Sequence, residues 1–164
     1  MKVRIIQDSK EKQPLQFDFY DGCSGQVVRG LKTGDYTAEG YEDLIIIERK
    51  CSTGELCQNL GKKFTQFKAE FERMQDIPHR YLVCEFPREF LYTFPENSTI
   101  PKRKWKDLRI NPKFMRKRLY ELCEQYGVQP IFCSSRAEAE ETIFRIIYNT
   151  VENVVKQKEE NNNE

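Results

Sequence analysis

The chain has 164 residues and a net charge of +1, a length suited to one domain with a single buried core. Apolar residues are 38% and aromatics 12%, too rich for a disordered chain, and no apolar run approaches the roughly 20 residues a membrane helix needs. The opening Met1-Lys2-Val3-Arg4-Ile5-Ile6-Gln7-Asp8 turns charged again too soon for a secretory signal, so a soluble, intracellular protein is expected.

Val3 to Ile6 reads as a short strand. Leu15, Phe17 and Phe19 alternate with Gln16, Asp18 and Tyr20 at the period of a half-buried strand. The turn residues Asp21 to Gly25, followed by Val27 and Val28, point to a hairpin. Leu44 to Glu48 is an apolar run ending in charge, the pattern of a central strand buried on both faces. Leu56, Leu60, Phe64, Phe67, Phe71 and Met74 then step by three and four, one face of a long helix or of two consecutive ones.

Tyr81 to Glu85 returns to strand. Residues 86–110, with Pro87, Pro95 and Pro101, read as an extended insertion or loop. Asn111-Pro112 has the cap-then-proline order of a helix start. That helix turns Phe114, Met115, Leu119, Leu122 and Tyr126 inward, with Lys113, Arg116, Lys117 and Arg118 on its other side. Val128 to Cys133 is a further strand. Ser134-Ser135 opens a last helix, with Ala139, Ile143, Ile146, Ile147 and Val154 on its apolar side. From Lys156 to Glu164 the chain is polar and is expected to be a disordered tail, leaving residues 1–155 as the domain. Strands followed by alternating helix and strand define an α/β class, a central mixed β-sheet flanked by helices.

Six cysteines (Cys23, Cys51, Cys57, Cys84, Cys123 and Cys133) include no CxxC pair, and His79 is the only histidine. Structural zinc needs closely paired ligands, so buried free thiols are expected instead. From Lys102 to Arg118 there are nine basic residues and one acid, Asp107; this local +8 leaves −7 on the rest of a chain whose total is +1. Such a stretch fits a surface that meets phosphates and fits a solvated helix face equally well.

Three short stretches carry the chemistry. Asp8-Ser9-Lys10-Glu11 lies just beyond the first strand. Gly34-Asp35-Tyr36 is a turn that delivers a carboxylate. In Asp43-Leu44-Ile45-Ile46-Ile47-Glu48-Arg49-Lys50 the strand period puts Glu48 and Lys50 on one face. Two carboxylates at a strand end suit Mg²⁺, a hard cation that takes oxygen ligands and keeps several waters. A neighbouring lysine can orient or help deprotonate an attacking water and offset phosphate charge. Charges often finish a buried strand merely to meet solvent, so Glu-x-Lys alone is a weak signal. A Gly-Asp-Tyr turn with twelve residues between Asp35 and Glu48 is an arrangement the core has no reason to demand.

Gly34-Asp35 followed by Ile47-Glu48-Arg49-Lys50 resembles the GD…(V/I)ERK signature of the XPF-type structure-specific endonucleases, a branch of the PD-(D/E)xK nucleases. Asp8-Ser9-Lys10-Glu11 is similar to the D-x-R-E segment that precedes it, with Lys10 where arginine is usual. Tyr81-Leu82-Val83-Cys84-Glu85 resembles the family's later YLVVE strand, and Ile131 to Cys133 with the helix over Glu138 to Tyr148 looks like its closing elements. The resemblance implies a restriction-endonuclease-like fold and an endonuclease using Mg²⁺ or Mn²⁺. Its substrate would be branched, flap or junction DNA in repair or recombination, cut to leave the phosphate on the 5′ side of the break. By the same resemblance Asp35, Glu48 and Asp8 are the metal residues. Lys50 positions the water, and Arg49 and Glu11 support the catalytic site. A homodimer is implied as well.

Two features depart from the family pattern. Gly54 stands four places after Lys50, where the motif usually carries aspartate, and Glu55 follows it. No tandem helix-hairpin-helix module fits the chain, so DNA contact is assigned to Lys102, Arg103, Lys104, Lys113, Arg116 and Lys117, or to a partner protein that supplies specificity. Trp105 either stacks on an unpaired base or anchors a loop. The rival reading is a catalytically silent relative that binds DNA or a partner as scaffold. Asp35, Glu48 and Lys50 favour the enzyme, whereas Gly54 is what the rival has in its favour.

Overall fold

The computed structural model describes residues 1–162. Six strands form one sheet: β1 (Val3–Asp8), β2 (Cys23–Arg29), β3 (Tyr36–Ala38), β4 (Ile45–Lys50), β5 (His79–Cys84) and β6 (Gln129–Phe132). Their spatial order is β2-β1-β3-β4-β5-β6. Only β3 runs antiparallel to its neighbours, and the other pairings are parallel. The carboxyl ends of β1, β4, β5 and β6 therefore reach the same edge of the sheet as the amino end of β3. Asp8, Asp35 and the Glu48–Lys50 segment are brought together by this topology alone.

Helices α1 (Thr53–Leu60), α2 (Phe64–Met74) and α4 (Pro112–Tyr126), with the short α3 (Phe90–Thr93), pack on one face, and α5 (Arg136–Asn161) packs on the other. Strand β4 is buried along its whole length and feeds both cores. Ile46 joins Leu56, Phe67, Phe71 and Leu119 under the first group of helices. Ile45 and Ile47 join Phe17, Tyr36, Ile143 and Ile147 under α5. The expected α/β architecture, a central mixed sheet flanked by helices, is the one observed. Among the described residues no helix is long and apolar enough to cross a membrane.

Several local expectations are corrected. The 15–20 segment is not a strand, although Leu15 and Phe17 are fully buried and Phe19 is 68% exposed. Side chains hold its backbone instead of a ladder: Gln26 accepts from Phe17 N–H at 3.1 Å and donates to Leu15 O at 2.9 Å, and Leu15 N–H donates to the Tyr36 hydroxyl at 3.0 Å. With no strand over 15–20 to pair with, the strand at Val27 and Val28 does not complete the expected hairpin; it lies in β2, which pairs parallel with β1. The apolar stripe over 56–74 belongs to two helices, separated at Gly61, whose missing Cβ lets Ile110 approach to 2.6 Å of where that atom would lie.

Residues 86–110 hold α3 and a 3₁₀ helix over Lys102–Asp107. The start of α4 is as expected, since Asn111 caps it by accepting from Phe114 N–H at 2.8 Å, but Phe114 is 40% exposed rather than inward. The terminal helix runs on to Asn161, through most of the segment expected to be disordered. Lys, Gln and Glu are good helix formers, and Lys156 pairs with Glu152 one turn earlier at 3.0 Å. The last two residues of the expected tail, 163 and 164, lie outside the described residues. All six cysteines are free thiols.

Candidate active site

A cleft of about 480 Å³ opens at the shared edge of the sheet, lined by Asp8, Glu11, Asp35, Glu48, Glu55 and Glu70 among others. The turn before β3 delivers Asp35. Its backbone N–H donates to Ile47 O at 2.7 Å, its carbonyl accepts from Asp8 N–H at 2.8 Å, and its Oδ2 accepts from Arg49 N–H at 2.7 Å. Gly34, at φ +74, makes this turn possible, because a Cβ there would meet Ile46 Cγ1 at 2.4 Å. Burial and the neighbouring Glu48 carboxylate hold the Asp35 carboxyl well above the usual carboxylate range.

Alternation along β4 divides the motif. Glu48 and Lys50 turn to the α1–α2 face, where Lys50 Nζ donates to Glu48 Oε1 at 2.7 Å and lies 4.8 Å from the Phe67 ring centroid. Only 5% of Glu48 and 4% of Lys50 is exposed. Burial alone would lower the Lys50 ammonium's pKa, but Glu48 and Glu55 outweigh it and hold Lys50 protonated. The lysine lies behind Glu48 and is not part of the cleft lining.

Arg49 turns to the other face. Its guanidinium donates to Glu85 Oε1 at 2.7 Å and to Gln13 O at 2.6 Å, and it pairs with Glu11 Oε2 at 3.1 Å. It thereby ties the end of β4 to the residue after β5 and to the loop after β1. Asp8 is engaged by backbone on both oxygens, accepting from Lys10 N–H at 3.1 Å and from Leu31 N–H at 2.8 Å. Its carboxylate fastens the two loops that frame the cleft.

The position of the motif's missing aspartate, Gly54, lies in the first turn of α1, with Ile100 Cγ1 3.5 Å from where a Cβ would be. Glu55 lines the cleft and caps with one carboxylate oxygen, its Oε2 accepting from Cys51 N–H at 2.8 Å, while its Oε1 lies 3.8 Å from Lys50 Nζ. Glu70 of α2 faces the cleft and was not singled out from the sequence. Burial and the Glu48 charge push its carboxyl up to about 7. The signal was available, since Glu70 falls on the same helical stripe as Phe67, Phe71 and Met74, where an acid is out of place. Lys10 of the first motif also lines the cleft, as do Lys12, Lys32 and Arg73, which the sequence reading did not single out.

The residues expected to contact DNA divide into two groups. Lys102, Arg103, Lys104, Lys113 and Lys117 are exposed. Trp105 is tied down by its Nε1–H, which donates to Ile100 O at 2.9 Å. Arg116 donates to Leu91 O at 3.2 Å and lies 4.0 Å over the Tyr92 ring.

The donor set fits a divalent cation. Lys50 takes one oxygen of Glu48 and Arg49 N–H takes one oxygen of Asp35, so each of these two cleft-lining acids keeps a second oxygen without a hydrogen bond among the described residues. Among the described residues no three His, Cys, Asp or Glu side chains converge as a cage. Two carboxylates are what a largely hydrated Mg²⁺-type ion needs from a protein.

Comparison with known proteins gives the family. The ERCC4 domain model matches residues 7–146, and the chain belongs to that structure-specific DNA nuclease family. Among solved structures it is similar to XPF from Aeropyrum pernix in complex with DNA, with a TM-score of 0.64 and 16% identity over 92% of this chain and 66% of that one. It is also similar to XPF from Aeropyrum pernix, with a TM-score of 0.61 and 16% identity over 88% of this chain and 59% of that one. The chain thus spans less than two thirds of either archaeal chain. No curated protein sequence matches it.

Proposed function

We propose that the chain is an endonuclease dependent on Mg²⁺ or Mn²⁺ that hydrolyses phosphodiester bonds in branched, flap or junction DNA. The observation that carries this reading is the pair Asp35 and Glu48, two cleft-lining carboxylates at one strand edge, each with a second oxygen without a hydrogen bond among the described residues. They would hold the ion, with Asp8 securing the loops around them. When bound, the ion supplies a water of lowered pKa and stabilises charge on the scissile phosphate. Lys50, held as an ammonium, fixes the Glu48 carboxylate and adds positive charge behind it. Arg49 and Glu11 hold the loop after β1 at the cleft entrance. Lys10, Lys12, Lys32 and Arg73 meet flanking phosphates without reading sequence.

Pairing of two copies and a partner protein that supplies specificity belong to the same proposal, as do repair or recombination as its setting. They are supported by the family relationship. The second reading, a silent scaffold that binds DNA without cutting it, is favoured by Gly54 in place of the motif acid. End-labelled single-strand, duplex, flap, fork and four-way-junction DNA, each incubated with Mg²⁺, Mn²⁺ or EDTA, separates the two. Metal-dependent cuts at a branch are expected. Intact DNA that is nonetheless bound supports the scaffold.

A further inference from the structure

Helix α1 has the cleft at its amino end and a second, strongly cationic face at its carboxyl end. There the 61–63 turn packs against Ile110, and Arg118 of α4 donates to Leu60 O at 2.9 Å. The Arg118 guanidinium lies 3.7 Å from the Phe64 ring centroid and 5.0 Å from that of Phe114. One ring of this sandwich, Phe114, is 40% exposed in the most basic stretch of the chain. Lys62 and Lys63, just before Phe64, and Lys113 and Lys117, beside Phe114 on α4, are all exposed, and Glu121 is an acid 3.9 Å from Lys117.

We propose that this face docks an unpaired strand of the DNA substrate, with one base stacking on Phe114 and the four lysines meeting the flanking phosphates. The nucleic-acid identity of the partner rests on the nuclease reading. Lysines alone would serve an acidic peptide equally well. A flat ring pinned by a guanidinium, left partly open to solvent among cations, is what a base requires, because every base offers a π-face. Trp105, the stacking candidate in the sequence, is half-buried with Lys102 5.9 Å over its ring, whereas Phe114 is 40% exposed. Helix α1 has eight residues and is about 12 Å long, so one branched substrate can reach both the cleft and this face.

The test is anisotropy of a fluorescein-labelled oligothymidylate in EDTA across a salt series, with cleavage of flap DNA in Mg²⁺ or Mn²⁺ measured in parallel. It uses the full chain, Phe114→Ala, the pair Lys62→Gln/Lys63→Gln and, as a cleft control, Asp35→Asn. Phe114→Ala should weaken binding about tenfold, within the range for one stacked base, with an unchanged salt slope. The lysine pair should reduce the slope of log K against log salt by about 1.4, since each single-strand phosphate contact contributes about 0.7. Binding unchanged in both variants overturns the proposal, as does no oligothymidylate binding by the parent chain. Polyglutamate competing charge for charge as well as oligothymidylate also overturns it, in favour of an acidic protein partner. The lysine pair decides the matter if Phe114→Ala fails to fold. Normal binding by both surface variants with Asp35-dependent cleavage retained removes this face alone. Weakened binding by those variants with cleavage indifferent to Asp35→Asn removes the cleft reading alone.

Discussion

Lys50 and Glu48 meet at 2.7 Å on the α1–α2 face of β4, both almost wholly buried, while Arg49 between them turns its guanidinium to the opposite face. Strand alternation thus makes two sites of three consecutive residues. One supports the carboxylate that faces the cleft, and the other binds the cleft's walls together.

Removing the lysine tests the first of these. Lys50→Met leaves the Glu48 carboxylate buried without its partner, and the loss should be about 3–5 kcal/mol. Adding Glu48→Gln to Lys50→Met should restore most of it, because the unpaired charge is gone. Urea midpoints of the two variants against the parent chain check this. Equal losses in both would mean that packing against Phe67, not charge, dominates.

Removing the arginine tests the second. Arg49→Ala abandons Glu85, which is nearly buried, together with Glu11 and the Gln13 carbonyl, and a destabilisation of about 3–5 kcal/mol is expected. Arg49→Lys should recover little, since a lysine cannot reproduce the forked geometry that reaches all three. Denaturant unfolding reads both. Parent-like stability in the lysine variant would contradict the role of that fork.

How much of this was legible in the sequence depends on what each pattern reports. Asp35, Glu48 and Lys50 could be picked out because a Gly-Asp-Tyr turn followed at fixed spacing by Glu-Arg-Lys resembles a family signature, although Glu-x-Lys alone was a weak signal, and the apolar run of β4 fixed the face that Glu48 and Lys50 share. Leu15, Phe17 and Phe19 misled because alternation reports which side chains are buried and says nothing of what the backbone bonds to. Here Gln26 and Tyr36 supply those bonds from elsewhere in the chain. Glu70 was passed over because its helix was read only as a stripe of apolar residues. The commitments of Asp8 and Trp105 to backbone groups 23 and 5 residues away follow from loop paths that no periodicity encodes.

The acids of the cleft set a pH dependence. Glu70 is pushed from 4.5 to about 7 by burial and by Glu48, and Asp35 is raised for the same two reasons. Between the unfolded and folded values the native state keeps protons that the unfolded chain has released. Stability should therefore be highest at the acid end of that window and fall as pH rises from about 4.5 to about 7. Thermal melts in EDTA across this range check the sign, and Glu70→Gln should flatten the slope. A rise over the same interval would contradict the raised values. Mg²⁺ should lift the melting temperature more above pH 7 than near pH 5, because protonated acids do not bind it.

Gly54 makes a smaller prediction. Its conformation is helical, and a Cβ there would find Ile100 at ordinary contact distance, so Gly54→Ala should stabilise the fold by about 0.4–1 kcal/mol. A rise of a few degrees in melting temperature is the expected reading. A fall would mean that the 99–100 segment packs more tightly on α1 than this distance indicates.

The most direct measurement of the central claim compares the parent chain with Asp35→Asn and Glu48→Gln under single-turnover conditions, on flap and four-way-junction DNA with Mg²⁺ or Mn²⁺. Melting curves should establish that both variants are folded. Cleavage that requires the metal and drops by about 100-fold or more in each variant, with DNA binding retained, is the predicted result. Cleavage at parental rates in either folded variant would show that the Asp35–Glu48 pair is not the site of the reaction.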